Sequence, residues 1–473
     1  MRCQRGATAI TGGLLGICLF LFASPARAIP AFARKYGTSC QTCHTVYPKL
    51  TPFGEAFRRN GYLFPGTDSD YVKQDTVPLG QDAYKKVFPN AVWPGTLPVS
   101  APISIGFNGT AVIHPDTKSG AAVADNKSVF SMNDLVGEAH LFTGGSFSEN
   151  ITFFGEVTLT ESGVSIEHAN VHFNNLFGPK HAFNLTVGRF FPSVTSFGTH
   201  SSYVADTIMP GLSVTGLYGS TSPSWNLADH YSGLELSGTF VGRFIYAAGV
   251  NAGANVDIRP SENAYAHLGF KVGGMRLDGE GDTGGNPTKP WAEYSLTGDV
   301  FGYRSASNFT PNQNPTGAMP APITPVPALD DTAWTLGGQI RLQLQSFELN
   351  AGFYQEWHNE AFLDAAGNQT GGKALAYYSE ASYIVFPWLV PAFRAEWIAL
   401  EADGTQRIGE WRLFPGIATL IRPNLKATLV GQIEIADGVP TGGWGAAGGF
   451  ASPIPGTKVT EMESLNINFA YAY

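Results

Sequence analysis

Two thiols and an imidazole stand within five residues at Cys40-Gln41-Thr42-Cys43-His44. One turn of helix would gather Cys40, Cys43 and His44 on a single side, because residues three and four apart share a face. That grouping suits covalent attachment of one haem c. The thiols form thioethers with the two vinyl groups and His44 becomes the proximal iron ligand. Zinc, a redox dithiol and a disulfide are the other uses of such cysteines. A structural zinc site wants a second ligand pair, which this lone Cys-x-x-Cys lacks, and a thioredoxin-like dithiol needs a βαβ setting that the sequence does not offer. Haem c is therefore the expected cofactor, and no catalytic residue is assigned.

The start of the chain says where such a group would be attached. Arg2 and Arg5 precede an apolar stretch over residues 10–23, and Ala26-Arg27-Ala28 supplies a small-x-small cleavage pattern. Residues 1–28 therefore read as a removed export signal. Ile17 directly before Cys18 argues against lipoprotein processing. Removal takes Cys3 and Cys18 with it, so only Cys40 and Cys43 remain.

Composition bounds the rest. Charged residues make up 14% of the chain, aromatic residues 12%, and glycine occurs 56 times. The formal charge is −9. Losing Arg2, Arg5 and Arg27 leaves 26 basic against 38 acidic residues, a net −12, which argues against nucleic acid as a partner. After residue 28 no run of 18 apolar residues occurs, so no helical membrane span is expected.

A different kind of span is expected from about residue 100 onward, where apolar residues repeat with period two. Ile103, Ile105 and Phe107 alternate with Ser104, Gly106 and Asn108; Trp334, Leu336, Ile340, Leu342 and Leu344 oppose Thr335, Gln339, Arg341, Gln343 and Gln345. Such wet faces are too polar for the interior of a β-sandwich. The segments, for example 290–302 and 347–358, are also longer than the usual strand and match the length that crosses a bilayer at a tilt. Trp291, Tyr303, Trp357, Tyr377, Trp388 and Trp397 lie near segment ends, as interfacial girdles require. The last segment ends Ile467, Phe469, Tyr471, Tyr473, resembling the terminal strand by which outer-membrane barrels are recognised.

Sixteen such segments fit between residues 101 and 473, an even number with both barrel ends on the periplasmic side. The expected fold is thus all-β: a transmembrane antiparallel β-barrel of about 16 strands over residues 98–473, with a small, mainly helical c-type haem module over 29–97. Tight connections fall at Gln345-Ser346, Pro387 and 422–424, and long ones at 303–331 and 437–460. Residues 191–230 do not alternate and would form a third external loop, which by analogy with porins turns into the lumen. In the module, Thr51 caps a helix with Pro52 at its first position and Gly61 closing it. Phe53, Ala56 and Phe57 share a face fit to cover a porphyrin.

The run Ala28-Ile29-Pro30-Ala31-Phe32-Ala33-Arg34-Lys35-Tyr36-Gly37, then Cys40-x-x-Cys43-His44, Pro48-x-Leu50-x-x-Phe53-Gly54-x-x-Phe57 and Gly61-Tyr62 resembles the N-terminal signature of the fused outer-membrane monohaem cytochrome–porins. That family includes bacterial iron oxidases. The resemblance implies an electron-transfer protein of the bacterial outer membrane, with its haem module on the periplasmic side or inside the barrel. It would carry electrons between an extracellular reductant, Fe(II) being one candidate, and a periplasmic carrier such as a soluble cytochrome c, with outer-membrane lipid around it. The competing expectations are a diffusion porin with a haem-bearing plug or sensor, and a periplasmic β-rich cytochrome.

Residues 29–97 contain no methionine and no histidine besides His44, so a protein-derived sixth ligand must come from the barrel unless Lys35, Lys49 or Tyr62 serves. His140, His168 and His172 fall on lumen-facing positions and are the candidates, with His200, Met209 and His230 in the third loop behind them. Asp330, Asp331, Glu360, Asp364, Glu401 and Asp403 are expected external-loop carboxylates that suit hard divalent ions.

Overall fold

A computed structural model of the chain describes residues 31–36, 38–64, 76–77, 97–98, 103–114, 129–148, 150–197, 201–205, 229–252, 263–280, 289–309, 329–363, 369–402, 408–422, 424–437 and 458–472. The export signal, His200, Met209, Asp364 and Asp403 lie outside them. The N-terminal segment contains α1 (Ala31–Tyr36), α2 (Cys40–Cys43), β1 (His44–Val46), β2 (Lys49–Leu50) and α3 (Pro52–Arg59). Two short pairing strands follow, β3 (Thr76–Val77) and β4 (Leu97–Pro98).

The wall begins with β5 (Ile103–His114), β6 (Val129–Ser148), β7 (Ile151–Thr160), β8 (Gly163–Phe173) and β9 (Asn184–Phe190). It continues through β10 (Tyr231–Phe240), β11 (Phe244–Asn251), β12 (Ala264–Gly273), β13 (Glu293–Phe309), β14 (Leu329–Gln345) and β15 (Phe347–Leu363). It ends with β16 (Gln369–Tyr383), β17 (Leu389–Ala402), β18 (Ile408–Arg422), β19 (Leu425–Asp437) and β20 (Lys458–Ala472). Each neighbour pairs antiparallel, and β20 pairs with β5 to close a sixteen-stranded barrel. Closure removes the unpaired edge that an open sheet would present.

The alternation is inverted relative to a water-soluble core. Leu268, Val300 and Leu336 are more than half exposed on the outside, whereas Thr335, Gln339, Glu380 and Arg394 are buried inside. Exposed apolar side chains on every second residue are what a hydrocarbon environment accepts, and the polar alternates line a lumen. Strand ends differ from the sequence expectation mainly in length: β13 runs on to Phe309 and β15 to Leu363, past positions 302 and 358. The girdle expectation holds for Tyr377 and Trp388, which are exposed, but fails for Trp291 and Tyr303, which are buried. Tyr303 shares inward parity with Asp299 and Phe301, and its hydroxyl donates to Asn251 Oδ1 at 2.9 Å. An aromatic residue near a strand end reveals its side only through that parity.

One barrel end carries both chain ends of the wall and short turns such as Ser346 between β14 and β15; the connections 115–128, 310–328 and 438–457 join strands at the other. The described parts of the third loop, 191–197 and 201–205, do enter the lumen. Ser196 N donates to Asp299 Oδ2 at 3.0 Å, Tyr203 N donates to Glu380 Oε1 at 2.8 Å, and Val46 of the N-terminal segment packs with Tyr203 and Val204 against β17, β18 and β19.

The N-terminal segment is lodged inside the barrel at the short-turn end. Lys49 forms a buried ion pair with Glu348 and also donates to Ser201 O at 2.7 Å. Arg59 donates to Leu277 O at 2.6 Å and Ser196 O at 3.0 Å, Asn60 to Asp278 O at 2.8 Å, and Thr152 to Gly61 O at 2.5 Å. These contacts tie the segment to strands or turns far away in sequence, all near one rim.

Candidate functional site

The Cys-x-x-Cys motif occupies α2, a single turn, and His44 is not part of it. His44 is extended (φ −124°, ψ 137°) and opens β1 opposite Leu50. The expected helical grouping fails for a local reason: Cys43 O accepts from Thr51 N at 2.9 Å instead of from a following helical turn. Helix α3 then comes so close that a Cβ on Gly54 would lie 2.1 Å from Cys43 O. Thr51 caps α3 as expected, accepting from Gly54 N at 3.1 Å, with Pro52 in the first turn and Gly61 beyond it at φ +65°.

Cys40, Cys43 and His44 line one cavity of about 1210 Å³ inside the barrel, more than an ordinary small-molecule pocket of roughly 300–1,000 Å³ provides. Aromatic rings wall it. Phe32 stacks on Tyr62 at 5.4 Å and meets Phe57 edge-on at 5.1 Å, and Tyr62 stacks on Phe154 of β7 at 4.8 Å. Phe57 thus lines the cavity as expected, while Phe53 turns away to pack on Phe64 at 4.9 Å.

The donor set fits haem c better than the alternatives. Both thiols are free, burial raises the Cys40 pKa, and burial with the charge of Cys40 pushes Cys43 up to about 12. Redox dithiols show the opposite, a depressed thiol. Among the described residues Cys40, Cys43 and His44 do not converge tightly enough to share one ion. His44 Nδ1 donates to Pro48 O at 3.1 Å, which fixes the tautomer and leaves Nε2 with its lone pair, the arrangement that metal-ligating histidines use. Burial lowers the His44 pKa and so favours that neutral ring. Arg58 and Arg59 also line the cavity, each with a buried, unpaired Nε, donors suited to a haem carboxylate.

All three barrel histidines face this cavity, but their surroundings differ. His140 is occupied at both nitrogens, by Glu156 and Thr158 at Nδ1 and by Asn108 and Glu138 at Nε2. His168 Nε2 lies 3.1 Å from His230 Nε2. His172 is held at Nδ1 by Thr186 Oγ1 at 3.0 Å, while its Nε2 is buried without a partner. Its ring meets Tyr62 edge-on at 5.6 Å. Lys49 is consumed by Glu348 and drops out as a ligand. Asp331 is no loop carboxylate either: it is buried and paired with His358 at 2.7 Å. Asp330, Glu360 and Glu401 also lie on strands, β14, β15 and β17, rather than in loops, and of these Glu360 is exposed.

Sequence reasoning missed the positioning roles of Thr186, Pro48 and Arg59. The Thr51-Pro52 cap was readable because it is local. Arg59 and Thr186 depend on contacts between separate segments, whereas Pro48 reaches His44 only four residues away, through the reversal between β1 and β2 that the sequence alone did not reveal.

No family model and no curated protein sequence matches the chain. Among solved structures it is similar to an anion-selective porin from Comamonas acidovorans, with 12% identity over 79% of this chain and 100% of that one and a TM-score of 0.50. It also matches OmpT of Vibrio cholerae at 12% identity, 78% and 97% coverage and TM-score 0.47. Salmonella typhi OmpF, in a complex with daunomycin, matches at 9% identity, 78% and 97% coverage and TM-score 0.45.

Proposed function

We propose that the chain is an outer-membrane electron-transfer protein, in which a haem c attached to Cys40 and Cys43 inside a porin-like barrel links an external reductant to a periplasmic carrier. The observation that carries this reading is the shared cavity: two free thiols, a histidine with its coordinating nitrogen available, and the unpartnered Nε2 of His172 all face one aromatic-walled space in the lumen. Short turns mark the periplasmic end, so the N-terminal segment sits there.

Haem c would supply one-electron chemistry at a potential set by its ligands and surroundings. The protein's part is to place it. Cys40 and Cys43 would hold the group, His44, its ring oriented by Pro48, would offer one nitrogen to the iron, and His172, oriented by Thr186, would be the candidate for another. Phe32, Phe57 and Tyr62, which line the cavity, would exclude water from it. A hydrocarbon layer about 30 Å thick is too wide for a direct electron step, and a lumenal haem divides that distance. Fe(II) oxidation is one form this activity can take, consistent with the resemblance to cytochrome–porins.

The second reading, a diffusion porin whose haem-bearing segment is a plug or sensor, is favoured by the likeness in fold to an anion-selective porin. Liposomes holding the protein, a trapped cytochrome and an external impermeant reductant separate the two. Electron transfer predicts reduction of the trapped cytochrome by wild type and none by the Cys40→Ala/Cys43→Ala variant. Equal reduction by both supports the porin reading.

A further inference from the structure

We propose that the lumen wall carries a second site, for a first-row divalent cation, formed by His140 on β6, Glu156 on β7 and Glu167 on β8. Their ligand atoms all lie within 4.8 Å of one another. Donors around one such ion at about 2.1 Å stand up to about 4 Å apart, so small side-chain adjustments, with His140 exchanging its bond to Thr158 or Asn108 for the ion, close the cluster. One imidazole with two carboxylates suits manganese, iron or zinc better than a thiolate-seeking metal.

Glu167 reaches this place because the β7–β8 ladder breaks there. Glu156 pairs with His168 and Val157 with Ile166, leaving Glu167 as the extra residue of a bulge. Strict alternation sends only one of two adjacent residues inward, yet Glu167 and His168 both line the cavity. Bulges re-aim side chains in this way beside functional sites.

Charge gives an independent reason. Among the described residues no lysine or arginine forms a salt bridge with Glu138, Glu156 or Glu167; Glu138 and Glu156 pair with histidines instead, His140 at 3.3 and 3.1 Å and His168 at 4.0 Å. Asn170, two residues beyond His168, is buried in the same cavity with Oδ1 unpartnered. Carboxylates whose ion-pair partners among the described residues are histidines alone sit where a divalent cation lowers the energy.

The site lies about four residues, on the order of 14 Å of strand, below the β7–β8 turn at the long-loop end. His172 lies five residues further along β8 toward the segment bearing Cys40 and Cys43. A cation held there would stand between the outer mouth and the haem motif. Only that role rests on the proposed function; the binding does not.

The test is Mn(II) binding to the full-length protein in detergent, followed by electron paramagnetic resonance. Wild type should bind one saturable equivalent with spin-echo modulation from an imidazole nitrogen. Glu156→Gln and Glu167→Gln should weaken binding at least about tenfold, the scale seen when a metal site loses even a supporting group. His140→Gln should lose the nitrogen modulation, and the Cys40→Ala/Cys43→Ala variant should bind Mn(II) as wild type does. Heat-modifiable migration on gels checks that each barrel is folded, and Glu167→Gln, an isosteric change at a bulge, keeps the test open if another variant misfolds. No saturable binding by wild type, or unchanged affinity in Glu167→Gln, overturns the proposal. Loss of binding in the folded cysteine variant does so too, since it places the ion at the haem motif.

Discussion

Two sectors of the lumen wall face the same interior with opposite electrostatic habits. From β12 to β17 nearly every buried charge is matched: Lys271 with Glu293 at 2.7 Å, Arg341 with Glu348 at 2.7 Å, and Arg394 with Glu396 at 2.5 Å. From β6 to β8 the cavity-lining carboxylates are Glu138, Glu156 and Glu167, set among His140, His168 and His172, with no salt bridge from these three to a lysine or arginine among the described residues. The first sector fastens the N-terminal segment through Lys49. The second borders the cavity that holds Cys40, Cys43 and His44. Matched charges hold position, and unmatched ligating groups leave chemistry available.

The largest effect should come from removing the thiols that the second sector faces. Cys40→Ala with Cys43→Ala should abolish haem staining on a denaturing gel while the barrel still shows heat-modifiable migration. Glu348→Gln should break the first sector instead. It leaves Lys49 and Arg341 buried without their shared carboxylate, a loss of about 3–5 kcal/mol, read as a lower unfolding temperature in detergent. Glu156→Gln in the second sector should change that temperature little, and equal effects would erase the contrast between the sectors.

Smaller effects should follow within the N-terminal segment. Gly54→Ala forces a Cβ toward Cys43 O at 2.1 Å, so overpacking of about 1–3 kcal/mol should appear as reduced haem incorporation. Thr51→Ala removes the α3 cap and the bond from Thr51 Oγ1 to Thr42 O at 2.8 Å. Its expected loss is about 1 kcal/mol, visible as a modestly lower unfolding temperature with haem still attached.

The barrel was legible because its signal is local: a lipid-facing residue and a lumen-facing residue alternate within each strand, so Trp334, Leu336 and Ile340 against Thr335, Gln339 and Arg341 announce both faces. The motif of Cys40, Cys43 and His44 is equally local, but its expected one-turn grouping is not what forms, because His44 leaves the helix and opens β1. What escaped depends on distance or on broken alternation. Lys49 finds Glu348 across 299 positions, and Glu167 faces inward only because of a bulge. Tyr303 and Trp291 have girdle-like types but inward positions. His140, His168 and His172 looked alike as lumen histidines, and only the neighbours brought by other strands tell them apart.

A haem in the lumen completed by the β8 wall would reveal its ligation in electron paramagnetic resonance of the oxidised full-length protein beside its His172→Leu variant. Wild type should give a low-spin ferric signal that becomes high-spin in His172→Leu, with haem still covalently attached. Absence of any haem signal in wild type, or an unchanged low-spin signal in His172→Leu, would contradict it.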